Sequence, residues 1–128
     1  MSVLQGGASG EFRDCLFSNV GCGVTVMDLD TCAEVRDCYA ADNDRLGAEV
    51  ARGASALFLG SEMSRSRMFK GAYVGGVGTR TTFQDCVFAE NQQCALRIDA
   101  GAHTTVSTVN FTAVLRSCIH TLHRSTHE

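Results

Sequence analysis

Two residue types recur at a spacing that would stack them. Cys15, Cys38 and Cys86 stand in the phrases Phe12-Arg-Asp-Cys15-Leu-Phe17, Val35-Arg-Asp-Cys38-Tyr-Ala40 and Phe83-Gln-Asp-Cys86-Val-Phe88, each preceded by an aspartate, Asp14, Asp37 or Asp85. Thiolates stacked about 4.8 Å apart are able to share a soft metal ion. Carboxylates in one column are able to hold a divalent cation or exchange protons. Ser61 interrupts the thiol column, and no histidine recurs in its register to complete a four-ligand shell. The cysteines, Cys22 and Cys94 among them, therefore read as a small-residue inner wall. The aspartates read as corner residues whose carboxylates bond turn amides, with Arg13 and Arg36 offsetting the charge of Asp14 and Asp37. No catalytic residue, metal ligand or cofactor site is assigned.

Two further stretches invite a chemical reading. Tyr73-Val-Gly75-Gly76-Val-Gly78 has the glycines of a phosphate cradle but lacks the Lys-Ser/Thr that completes one, so its glycines read as a corner. The tail carries His120, His123 and His127, three of the four histidines, without a fourth zinc ligand. Leu115, Ile119 and Leu122 stand at helix-like spacing there, which predicts a short capping helix within a 114–128 tail.

The elements that would position these residues are set by the repeat. Degenerate copies at Phe58-Leu-Gly-Ser61-Glu-Met63 and Val106-Ser-Thr-Val109-Asn-Phe111 complete a ladder at Phe12, Val35, Phe58, Phe83 and Val106, with steps of 23, 23, 25 and 23 residues. A fixed period of this size is the signature of stacked units. Apolar residues at the first, fourth and sixth places of each copy fit neither a helix nor one strand; they fit two short strands joined by a bend. Upstream, Gly7-Ala8, Gly53-Ala54 and Gly101-Ala102 share a register, and downstream Asn19, Asn43 and Asn91, with Ser66, suit a recurring corner. Each unit reads strand, Gly-Ala corner, strand, Asp corner, strand, Asn corner.

In these repeats the chain resembles the right-handed parallel β-helix proteins, the pectate-lyase-like superfamily, over roughly residues 3–113. The resemblance implies an all-β solenoid of about five turns occupying residues 1–113. It is nearly silent on activity, because that superfamily holds lyases, glycosidases, esterases, tailspikes and noncatalytic modules. Its enzymes place their chemistry on one outward strand face, for which the matching residues here are Thr25, Asp28, Glu49, Arg97 and Asp99. Asp28 and Asp99 are expected in one register three turns apart, about 14 Å, beyond the roughly 6.5–9.5 Å of an inverting carboxylate pair.

Bulk properties narrow the partners. A net charge of -3 with scattered Lys and Arg offers no basic field for nucleic acid or an anionic membrane. No run approaches the roughly 20 apolar residues of a membrane span. The first ten residues lack a basic segment followed by an apolar run, and seven cysteines, an odd number, suit packed thiols better than disulfides. A reducing, cytoplasmic setting is expected. The first Gly-Ala corner comes within ten residues and no amphipathic N-terminal cap precedes it, so the chain reads as a slice of a longer β-helix or as half of an end-to-end assembly.

Interest therefore moves to where the repeat fails. The 25-residue step contains 62–70, which is expected to bulge from the prism, and Leu57 and Leu59 flank inward Phe58 and so face out. Leu57, Leu59, Arg65, Arg67, Met68, Phe69, Lys70 and Tyr73 form the candidate binding set, with Met and Phe beside Arg and Lys as a contact composition. The reading that follows is a noncatalytic scaffold or interaction module that binds a protein partner or associates end to end. The alternatives are a carbohydrate-binding or polysaccharide-degrading module, and a fragment of a larger β-helix protein.

Overall fold

Short alternating segments cannot bury one face alone, so each pairs with its equivalent one repeat away. The computed structural model describes the chain except for residues 1, 5, 19, 68–70, 92–94, 100, 113–118, 122–125 and 128. The first turn holds β1 (Ser2–Leu4), β2 (Ser9–Arg13) and β3 (Leu16–Ser18), and the second β4 (Cys22–Met27), β5 (Cys32–Arg36) and β6 (Tyr39–Ala41). The third holds β7 (Leu46–Ala51), β8 (Ser55–Leu59) and β9 (Glu62–Ser64), and the fourth β10 (Ala72–Gly75), β11 (Arg80–Gln84) and β12 (Val87–Ala89). The fifth holds β13 (Leu96–Ile98), β14 (His103–Ser107) and β15 (Asn110–Thr112), followed by β16 (Ile119–Thr121) and β17 (Thr126–His127). Equivalent strands pair in three parallel sheets: sheet A, β1-β4-β7-β10-β13-β16; sheet B, β17-β14-β11-β8-β5-β2; and sheet C, β15-β12-β9-β6-β3.

Inward residues stack by type. Sheet A contributes Val24-Ala48-Ala72-Leu96 and Val26-Val50-Val74-Ile98, and sheet B contributes Phe12-Val35-Phe58-Phe83-Val106. Sheet C adds Phe17-Ala40 and Met63-Phe88 in one register. The rings of Phe58 and Phe83 stack at 5.0 Å, and Phe83 meets Phe88 edge-on at 5.3 Å. Burial of each such ring contributes about 1.5–3 kcal/mol, so the middle turns carry the densest apolar packing.

The corners are left-handed. Asp14, Asp37, Gly60, Asp85 and Thr108 occupy one register with φ between 52° and 59° while the amides of Asp14, Asp37, Gly60 and Asp85 continue the ladder to the next turn. This revises the expectation for the aspartates: among the described residues no carboxylate of Asp14, Asp37 or Asp85 bonds a corner amide. Aspartate stands there because it tolerates positive φ, as glycine does at position 60. On the opposite side Gly23, Gly47, Gly71 and Ala95 stack where backbones approach closely. A Cβ on Gly71 would lie 2.7 Å from the Ala95 carbonyl oxygen and 2.7 Å from Asn91 Nδ2.

Three sequence expectations change. The 25-residue step does not bulge at Glu62–Ser64, which forms β9 between β6 and β12. One extra residue falls between Ser66 and Ala72, and the other widens the Gly76-Val77-Gly78 corner, so the increment is divided between two corners. The residue in register with Asn43 is Val20, not Asn19: Val20 N–H donates to Asn43 Oδ1 at 3.3 Å, as Ser66 N–H donates to Asn91 Oδ1 at 3.0 Å. Asn19 lies outside the described residues. In the 114–128 tail, Ile119–Thr121 and Thr126–His127 pair with β13 and β14, so Ile119 extends sheet A, while Leu115 and Leu122, the other residues of the expected capping helix, lie outside the described residues.

Phe83→Ala removes the ring shared by Phe58 and Phe88 and is expected to cost about 3–5 kcal/mol. Urea denaturation checks this, and an unchanged midpoint would contradict the inward Phe column.

Candidate binding face

Alternation along sheet B turns three columns outward. They are Ser9-Cys32-Ser55-Arg80-His103, Glu11-Glu34-Leu57-Thr82-Thr105 and Arg13-Arg36-Leu59-Gln84-Ser107. The chemistry changes along the axis. The first two turns are charged but internally neutralised, by an ion pair between Arg13 and Glu11 and another between Arg36 and Glu34 at 2.6 Å. The Arg36 hydrogen bond holds the Glu34 carboxyl below its usual range. The third turn presents half-buried Leu57 and Leu59, and the fourth and fifth present hydroxyl, amide, Arg80 and His103. Over these turns opens a groove of about 520 Å³, walled by Cys32, Ser55, Leu57, Arg80, Thr82, His103 and Thr105 and by the backbone side of the residues between them.

The described members of the predicted binding set, Leu57, Leu59, Arg65, Arg67 and Tyr73, do not share one face. Leu57 and Leu59 face outward on sheet B as expected, and Leu57 lines the groove. Arg65 and Arg67 lie at the corner after β9, bound to the preceding turn. Arg65 donates to both carboxylate oxygens of Asp42 at 2.8 and 3.1 Å, and Arg67 to Asp44 at 2.7 Å. The Arg65 hydrogen bond in turn keeps the Asp42 carboxyl low. Met68, Phe69 and Lys70 lie outside the described residues. Tyr73 belongs to β10 on a third face, sheet A.

On sheet A the outward register runs Thr25-Glu49-Tyr73-Arg97. The Tyr73 hydroxyl donates to Asp99 Oδ2 at 2.5 Å, and Arg97 Nε donates to Asp99 Oδ1 at 2.8 Å. Glu49 and Arg97 stand two turns apart, as expected, with the Tyr73 ring position between them. The hydrogen bond to Asp99 leads the causes that push the Tyr73 hydroxyl up to about 12, followed by burial and the Asp99 charge. Asp28 departs from its expected register with Asp99: it follows Met27 at the corner, 3.6 Å from Arg52. Oδ2 of Asp99 thus ties the fourth and fifth turns together, while Oδ1 holds Arg97 within the fifth.

Cys15, Cys38 and Cys86 serve the wall, whereas Cys32 is exposed on sheet B. Cys15 N–H donates to Cys38 Sγ at 3.4 Å and Cys38 N–H to Ser61 Oγ at 3.2 Å, while the Cys86 thiol donates to the carbonyls of Phe58 and Gln84. Burial pushes Cys22, Cys38 and Cys86 upward, which keeps them as thiols. Among the described residues no three His, Cys, Asp or Glu side chains gather as metal ligands.

Sequence reasoning passed over Arg80, Thr82, His103 and Thr105. The available signal was the 23-residue step that pairs Arg80 with His103 and Thr82 with Thr105, which the inward Phe83-Val106 ladder already implied.

A stack of parallel three-stranded turns with a groove along one sheet defines a β-helix protein. A family model described as the right handed beta helix region matches residues 2–127, and the chain belongs to that family. No curated protein and no solved structure matches it.

The raised Tyr73 pKa has a signed consequence. Stability from the Tyr73–Asp99 bond is present below pH about 10, the unfolded value, and is lost as pH rises through about 12. Thermal melts across that window are expected to fall more steeply for the native chain than for Tyr73→Phe; parallel profiles would remove the bond as the cause.

Proposed function

We propose that this chain is a noncatalytic β-helix module that binds a protein partner across sheet B. The observation that carries the reading is Leu57, which stands half-exposed beside Leu59 and on the wall of the groove. Apolar anchors framed by polar groups are the composition of a contact surface, with the charged first turns as its rim. A rigid parallel scaffold holds such anchors at a fixed spacing without ordering cost on binding.

A carbohydrate-binding reading rests on one observation, Tyr73 on sheet A with Glu49 and Arg97 on either side in register. An aromatic ring among planar charged groups suits a sugar, although Tyr73 and Arg97 are both committed to Asp99.

The double variant Leu57→Asp, Leu59→Asp separates the readings. Both side chains face outward, so the melting temperature is expected to hold within a few degrees while affinity for a cross-linked and purified protein partner falls at least about tenfold. Full retention of that partner would overturn the assignment of the face. Glycan-array binding, or release of unsaturated sugars from a polysaccharide, would replace the protein-binding reading, and light scattering of the variant reports separately on end-to-end association.

A further inference from the structure

Among the described residues, six arginines are neutralised locally. Arg13, Arg36, Arg52, Arg65, Arg67 and Arg97 each have a carboxylate within 4.0 Å. Arg80 is exposed and has no ion pair or side-chain hydrogen bond among the described residues, although the chain as a whole is acidic at -3. It lies in the groove directly beside His103, its register partner on β14, and His103 likewise has no described side-chain partner. Two residues along the same strands, Thr82 and Thr105 also form a register pair on the groove wall. Stacked strands separate each pair by about 4.8 Å, and two residues of rise separate the pairs by about 6.6 Å.

We infer that Arg80, His103, Thr82 and Thr105 form an anion subsite that takes a carboxylate side chain from an acidic segment of the protein partner. A guanidinium supplies a planar fork of donors, the imidazole an N–H in either protonation state, and the two hydroxyls further donors, so the four groups match a carboxylate's acceptor-only oxygens. No carboxylate stands among the outward residues of β11 and β14 to compete for them; among the described outward residues of this face the nearest, Glu34, is two turns away and held by Arg36. The acidic segment is a polypeptide and not a uronate chain for two reasons. Leu57 is in register with Thr82, which places an apolar contact one turn from the subsite, and among the described residues no Phe, Tyr or Trp lines the groove to stack on a sugar ring. The inference rests on the protein-binding reading of sheet B and adds the chemistry of what is bound.

The test titrates the isotope-labelled full chain with a synthetic peptide of alternating Glu and Leu, with its Gln-Leu counterpart, and with an oligouronate of equal charge, following backbone and side-chain resonances. The Glu-Leu peptide is expected to bind about tenfold more tightly than the Gln-Leu peptide, with shifts centred on Arg80, Thr82, His103 and Thr105, and Arg80→Gln is expected to abolish that preference. Arg80 is exposed, so its variant should melt as the native chain does. Equal binding of both peptides centred on Leu57 would overturn the anion subsite and leave the binding face standing. Tighter binding of the oligouronate would overturn the polypeptide occupant. Absence of shifts in the groove with any of the three would overturn the subsite and the face together.

Discussion

Every turn has to change direction three times without releasing its hydrogen bonds to the turns on either side. A parallel ladder allows this most directly where equivalent residues adopt the same backbone conformation at the same point of successive turns, with extra residues taken up in wider corners so that the strands beyond keep register. The left-handed column of Asp14, Asp37, Gly60, Asp85 and Thr108 meets that condition, and so do the positive-φ corners at Gly7, Gly53 and Gly101. The inner wall follows from this constraint. With register preserved, phenylalanine stacks on phenylalanine, valine on valine and thiol on thiol, and the core becomes a set of columns.

Side chains reinforce the ladder unevenly. Asn43 reaches back to the Phe17 carbonyl and the Val20 amide of the first turn, and Asn91 does the same to Met63 and Ser66 of the third. At the Gly corner Thr31 accepts the Gly7 amide and Thr79 the Gly53 amide, each at 2.8 Å. These four buried residues lie on the second and fourth turns, so each of those turns latches onto the one before it. From the second turn to the third, the buried Ser61 hydroxyl accepts from Cys38 N–H and donates to the Val35 carbonyl, and surface ion pairs, Asp42 with Arg65, Asp44 with Arg67 and Asp28 with Arg52, add contacts that contribute less because water screens them. The Asn and Thr latches thus recur on alternate turns, while the strand register repeats at every turn. The longer corners of the second and fourth turns, which expose Leu29 and Val77, carry the same two-turn rhythm.

The uniform backbone leaves chemical variety to the outward positions. On sheet B the face passes from self-neutralised ion pairs, through two leucines, to an unpaired arginine among hydroxyls. On sheet A it gathers Tyr73, Arg97 and Asp99 into a clamp across two turns. A β-helix of this kind differentiates its faces by which outward columns remain unsatisfied, and the groove of sheet B is where the unsatisfied groups collect.

Much of the architecture was legible in the amino-acid sequence because a ladder copies its inward pattern at a constant step. The columns of Phe12, Val35, Phe58, Phe83 and Val106 and of Cys15, Cys38, Ser61 and Cys86 are the repeats of the sequence seen edge-on. Outward residues obey no such repetition, since each needs only its own neighbours, and for that reason the inward repeat does not single out Arg80 and His103 or separate Tyr73, on sheet A, from the leucines of sheet B. Small offsets at the corners also escaped, which moved the Asn column from Asn19 to Val20 and divided the two extra residues between separate corners. By itself the sequence determined the period, the strand-and-corner grammar and the inner wall, because steric packing and backbone geometry repeat with the chain. Only the tertiary structure decided which side chains from successive turns face one another and which charges find partners, because those depend on registers between residues 23 or more positions apart.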